Sequence, residues 1–308
     1  MAPRLAPMSG SAGGSSCWWR HGPFTAHLRA GPLSCRYARP RAVAERGWQT
    51  LVMRTSRPAV ILGTIALVLT ACFGPGAAAA GAAAAGKGIL PPKNPASDVN
   101  PDPDFLVSPP CLGGGDSAAC NALVLRAVAH ARKVAEKIGG MSFSLPAYER
   151  LTPDEQIFVI ANMERVERGL PAIVALTRSL DKVAQEGATA DTDPPLGNVP
   201  HTLPGGGHWV SLGGNWAGGY DNALGADYGW MYLDKPEHWG HRDNILGKYV
   251  SASSCGGQRY EIAMGAGHVT KGEAYGDSET ELFVGFCGPT PTDVVMTWAK
   301  AKKLLHVQ

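Results

Sequence analysis

Apolar residues recur at three- and four-residue spacing between Cys120 and Ile138 (Val124, Ala127, Val128, Ala131, Val134, Ile138), and the run stops at Gly139-Gly140. That spacing predicts a helix with one apolar face. A second helix is expected from Pro153 to Gly169. Thr152 can cap it, Glu155 completes a capping box, and Val159, Met163 and Val166 form its inward row. A third is expected to carry Ile173, Leu176, Leu180 and Val183 on one side. The pattern then lapses. From Asp191 to Gly219 the chain is rich in Gly and Pro, too long for an ordinary connection and therefore a candidate functional loop. Asp221 can cap a fourth helix bearing Leu224, Tyr228 and Met231. Two strands are predicted at Tyr260–Val269 and Glu281–Cys287. Thr290-Pro291-x-Asp293 announces a final helix with Val294, Trp298, Ala301 and Leu305 on one side. Lys300, Lys302 and Lys303 near its end suit the helix dipole and read as a solvated face. Helices around a few late strands make an α+β layered domain.

The first 110 residues behave differently. Met53-Arg54-Thr55-Ser56-Arg57 is a basic start to an apolar run, Ala59 to Ala71. Thirteen residues at about 1.5 Å each are too short for a core of about 30 Å, so residues 53–72 fit a secretory signal peptide better than a membrane span. The run ends in Leu69-Thr70-Ala71-Cys72, which resembles the lipobox of bacterial lipoproteins, where the Cys is acylated. The alternative is cleavage around Ala77–Ala80 and release. Residues 1–52 are expected to be a non-native or disordered extension ahead of a true start at Met53, and residues 73–110 an Ala/Gly/Pro-rich linker. Residues 111–150 then form an N-terminal helical extension, 150–288 the main domain and 289–308 a C-terminal helix.

This division changes the meaning of the charge. The whole chain carries a net +2, but residues 1–52 hold seven Arg and one acid, and from Phe73 onward 19 bases face 25 acids. The working part is acidic, which argues against nucleic acid as a partner. Membrane contact is expected only through the signal or a lipid anchor.

Export also frames the cysteines. Beyond Cys72 there remain Cys111, Cys120, Cys255 and Cys287, an even set suited to an oxidising compartment. Of the three possible pairings, the expected one is Cys111–Cys120 with Cys255–Cys287. Among the later histidines only His238 and His241 form a compact pair. With Asp234 or Glu237 they could hold a divalent metal such as zinc at an open site. Catalytic candidates are His241, Asp234 and Glu237, and a structural hydrogen-bonding role for the histidines is the plainer alternative. G-x-S-x-G is absent, and Gly81-x4-Gly86-Lys87 follows no strand and lacks the Ser/Thr of a phosphate loop. Trp209, Trp216, Trp230 and Trp239 cluster, as core packing or as the wall of a groove.

The order of these motifs resembles the CAP superfamily (cysteine-rich secretory proteins, antigen 5 and pathogenesis-related 1) in its bacterial SCP-like extracellular branch. The resemblance runs over about residues 150–288. It rests on Asn162, Arg165, Gly169 and Leu170; on Gly213-Gly214-Asn215-Trp216; on Trp230; on Gly240-His241-Arg242-Asp243-Asn244-Ile245-Leu246; and on Met264-Gly265-Ala266-Gly267. It implies a three-layer α-β-α sandwich, extended here by an N-terminal and a C-terminal helix. Family members often line a central cavity with two His and two Glu that can bind a metal. Of that tetrad only His241 carries over: Gly214 and Leu233 stand where the acids fall, and Asp191 and Asp193 where the other histidine would lie. The expected function is a ligand-binding or scaffold module at the cell surface, for a lipid, glycan or wall polymer. The expected cleft holds His241, His238, Asn215, Trp216, Trp230 and Asp193. The alternative is a metal-assisted hydrolase.

Overall fold

The computed structural model describes residues 90–112, 116–220, 222–248, 255–272 and 276–307. The extension, the signal with Cys72, residues 73–89 of the linker and Asp221 lie outside the described residues. The chain divides after Gly76, and everything below belongs to the unit Ala77–Gln308. That unit contains both disulfides, the whole described sheet and both apolar cores, so it carries on its own what the packing needs.

Ser117 accepts from the Cys120 amide and starts helix α1 (Ala118–Glu136), which ends at Lys137 in a left-handed turn. Its inward row is Val124, Ala127, Val128 and Ala131, but Val134 is 47% exposed. The expected apolar row gives way at this end to Arg132 and Glu136, whose side chains turn inward to a buried ion network. After the short helix α2 (Leu145–Tyr148), helix α3 (Pro153–Val166) starts at the predicted capping box: Thr152 Oγ1 accepts from Glu155 N, and Glu155 accepts from Thr152 N.

The expected third helix is only half helix. Strand β1 (Ala175–Thr177) takes its first part and α4 (Arg178–Thr189) the rest. Val174 N donates to Ile262 O, and Ala175 pairs with Ala263, so tertiary pairing captures a β-branched segment whose spacing alone fits a helix. The long loop also contains a strand, since β2 runs from His208 to Gly218. Helix α5 (Ala223–Tyr232) is capped by Asn222, and α6 (Gly240–Leu246) follows. Strands β3 (Tyr260–Gly272) and β4 (Gly276–Cys287) contain the two predicted strands and run on into the segment 270–280 expected to connect them. The last predicted helix is corrected: Val294–Thr297 is strand β5, and Thr297 caps α7 (Trp298–Leu305).

The sheet order is β2-β4-β3-β1-β5, with β1 and β3 parallel and the other neighbours antiparallel. Side chains alternate across it. Leu282, Val284 and Phe286 pack with Leu180, Val183 and Ala184 of α4, whereas Phe283, Ile262 and Met264 join the larger core with α1, α3 and α5. Helix α4 lies very close to β3. A Cβ on Gly267 would stand 2.6 Å from Gln185 Cα, and one on Gly265 would overlap the Leu180 carbonyl.

Both expected disulfides form, Cys111–Cys120 and Cys255–Cys287. The first ties the N-terminal segment to the first turn of α1. The second ties the turn ahead of β3 to the end of β4, closing a longer loop and so removing more freedom from the unfolded chain.

Candidate functional site

The site starts from Asp234, at the end of α5 and almost fully buried. Its carboxylate is fully engaged. Oδ1 lies 2.6 Å from His241 Nδ1, and Oδ2 accepts from the backbone N–H of His241 (3.0 Å) and Arg242 (3.2 Å) at the first turn of α6. The aspartate therefore caps α6 and orients the imidazole together, leaving Nε2 as the group it does not hold.

His241 is a quarter exposed. Burial works against its charge, but the hydrogen bond and charge of Asp234, aided by Asp193 and Glu237, hold the imidazole above its usual range. Across from it, burial and Glu237 raise the Asp193 carboxyl, while His241 and a backbone hydrogen bond from Trp216 pull it down. Asp193 and Glu237 are both exposed at this edge. The result is a partly exposed imidazole held by Asp234 and acted on by the charges of Asp193 and Glu237, beside the 191–199 segment, β2 and α6.

The rear of the site is pinned by amides. Asn215 Nδ2 donates to Glu281 Oε1 (2.6 Å) and to the His241 carbonyl (3.0 Å), and Asn215 Oδ1 accepts from Asn244 Nδ2 (2.8 Å). Asn244 also donates to Gly214 O. Glu281 is buried, and burial drives its carboxyl well above the ordinary value despite the Asn215 bond. Gly213 is required here: a Cβ would fall 2.6 Å from Asn244 Oδ1. Trp230 Nε1 donates to Trp216 O, and Trp216 Nε1 donates to Ser278 Oγ.

Of the residues expected in the cleft, His241 and Asp193 come near each other, the Trp216 backbone bonds Asp193, and the Trp216 indole turns away to Ser278 of β4. Asn215 and Trp230 are buried behind it and act as supports. His238 is exposed in a left-handed turn. The Gly214 position also has a physical explanation. A Cβ there would press on Pro194 and Leu196, so the 191–199 segment occupies the space a longer side chain would need. The same segment brings Asp193 to His241.

These donors do not fit a metal ion. Asp234 spends both oxygens on protein N–H groups and the ring, and among the described residues no three His, Cys, Asp or Glu groups converge on one point. No hydrolytic step follows through such an ion.

Sequence reading missed the network under α6. Arg242, fully buried, pairs with Glu136 of α1 (2.8 Å), donates to Met231 O (3.0 Å) and lies over the Tyr232 ring. Glu136 also holds Arg168 (2.5 Å), which binds Glu164, and Glu164 and Glu167 bind Arg132. The one available signal was Glu136 and Arg132 falling at inward helical positions of α1, since charge in an apolar row calls for a buried partner.

No protein-family model and no curated protein matches this chain. Two solved structures are similar to part of it. One is an extracellular protein containing an SCP domain from Bacillus anthracis, at 21% identity over 43% of this chain and 40% of that one, with TM-score 0.30. The other is a cysteine-rich secretory protein from Staphylococcus aureus, at 17% identity over 42% and 37%, with TM-score 0.28. This chain therefore spans less than half the length of either.

Proposed function

We propose that this chain is an exported bacterial protein with a CAP-type domain, built as a three-layer α-β-α sandwich with added terminal helices. It acts outside the cytoplasm, freely or anchored through Cys72, as a binding module at the cell surface. The supports are the motif order from Asn162 to Gly267, the two disulfides, and apolar cores on both faces of one sheet.

The ligand class follows from one observation: Asp234 holds the His241 ring at 2.6 Å and, with Asp193 and Glu237, favours its charged form. A partly exposed imidazole nitrogen near carboxylate acceptors suits a polyhydroxylated ligand, a glycan or wall polymer. A lipid chain needs a deep apolar pocket instead. Neither described hollow, one between β2, α6 and Phe283 and the other beside the Cys111–Cys120 disulfide, includes His241.

The test is sedimentation with insoluble bacterial cell walls. His241→Ala and Asp193→Ala are each expected to weaken binding about tenfold, the loss of one charged hydrogen bond, with the fold kept. Binding is expected to be strongest below the ordinary histidine range, near 6.5, and to fall as pH rises through the elevated value of His241. Equal binding by wild type and both variants, or binding that grows with pH, would count against the cleft.

A further inference from the structure

We infer that the outer faces of α1 and α7 form a second contact surface, one that rests on the anionic headgroups of a lipid bilayer. The two helices pack on either side of α2, and Ser144 N at the start of α2 donates to Leu305 O at the end of α7. Both therefore meet at α2. Helix α1 exposes Lys133 at its last turn and Lys137 just past it, and α7 exposes Lys300, Lys302 and Lys303.

Three observations set this surface apart from ordinary solvated lysines. First, the part of the chain from Phe73 onward is acidic overall, yet α7 contains no acid and α1 contains only Glu136. Second, two of the nearby acids are committed elsewhere: Glu136 to Arg168 and Arg242, and Glu167 to Arg132. Among the described residues none of the five lysines is in an ion pair, and Lys137 Nζ reaches only the Val134 carbonyl. Third, each helix shows a large apolar side chain directly after a lysine, Val134 at 47% and Leu304 at 45% exposure. A soluble polyanion makes no use of exposed Val and Leu. The boundary between headgroups and acyl chains does, because lysines meet the phosphates while apolar side chains sink among the tails.

The His241 cleft is a different surface with the opposite charge character. Two surfaces of opposite sign would let the domain sit on the membrane while its acidic cleft faces a wall ligand. The inference shares with the previous section only the placement outside the cytoplasm. It also goes beyond the expectation that signal or anchor is the sole membrane contact, and beyond the solvated-face reading of the α7 lysines.

The experiment uses the unit Ala77–Gln308, which lacks both the apolar run and Cys72, with a cooperative thermal transition as the control for folding. Its binding to phosphatidylcholine vesicles is compared with binding to vesicles containing 30% phosphatidylglycerol, at low and physiological salt. The expected result is at least tenfold tighter binding to the anionic vesicles, weakening with salt. A Lys300→Gln, Lys302→Gln, Lys303→Gln variant is expected to lose at least tenfold, because each lysine near a charged surface contributes about fivefold. Val134→Ser with Leu304→Ser is expected to lose a further fivefold, and His241→Ala nothing. Equal binding to both vesicle types, or unchanged binding by the lysine variant, overturns the inference. So does displacement by soluble poly(glycerol phosphate) together with no effect of the Val134 and Leu304 changes, which would assign the surface to a wall polyanion. Failure of the cleft variants on cell walls leaves this result untouched, so the two readings fail separately.

Discussion

Replacing Glu136 with alanine is expected to lower the unfolding free energy by about 3–5 kcal/mol, a large share of the total for one domain. Glu136 lies under α6 and neutralises two guanidinium groups, Arg168 and Arg242, both almost completely buried. Removing it leaves two cations in a low-dielectric interior with one carboxylate, Glu164, between Arg168 and Arg132. Chemical denaturation should show the midpoint falling with the slope unchanged. Adding Arg242→Met to the alanine variant should restore part of the loss, because the cost arises from an uncompensated buried charge rather than from a missing attraction.

The same pair has a pH signature. Burial raises the Glu136 carboxyl, but Arg168 and Arg242 outweigh it and bring the value from 4.5 down to about 2. A depressed value means stability that is present above the unfolded value and lost as pH falls through the folded one, here between about 4.5 and about 2. The full shift corresponds to about 3 kcal/mol. Wild type should therefore lose stability across that window more steeply than the alanine variant.

Gly265→Val is expected to destabilise by about 3 kcal/mol or more, at the upper end for overpacking. Most overpacked sites relax through side chains, whereas here the obstacle is the Leu180 carbonyl carbon and oxygen in the backbone of α4. The helix must move off the sheet, and it takes with it the packing of Leu180, Val183 and Ala184 on Leu282, Val284 and Phe286. Thr280 Oγ1, which donates to Ala184 O, would lose its partner too. Thermal unfolding measures the effect. Gly257→Ala, at a turn with open space around its Cβ position but a positive φ of 87°, should cost far less.

These expectations explain why the Met264-Gly265-Ala266-Gly267 motif was readable and what it is for. The glycines allow a helix to touch a strand backbone to backbone, and the alternation around them marked the strand. The capping box of α3, the β3–β4 pair and both disulfides were legible for similar reasons, since each is a local rule or an even count. What failed was set by distant partners. Ile173 to Leu176 and Val294 to Thr297 are short segments whose spacing fits a helix, and pairing with β3 and with each other makes them strands. Strand β2 was hidden because Gly213 and Gly214 weaken its pattern, and both are glycine because Asn244 and Pro194 crowd them. In the site, His241 was readable from its motif. The role of Asp234 as both cap and ring partner, and the approach of Asp193, depend on how α5, α6 and the 191–199 segment meet. The Glu136–Arg242 pair joins residues 106 positions apart in the chain, beyond any spacing rule.

The proposal that the His241 cleft binds a polyhydroxylated ligand is tested most directly by mapping amide chemical shifts in the unit Ala77–Gln308 as soluble cell-wall glycan fragments are added. The largest changes are expected at Asp193, Trp216 and Gly240 to Arg242, and they should vanish in His241→Ala. Saturable changes confined to α1 and α7, or none at the cleft with the fold intact, would contradict it.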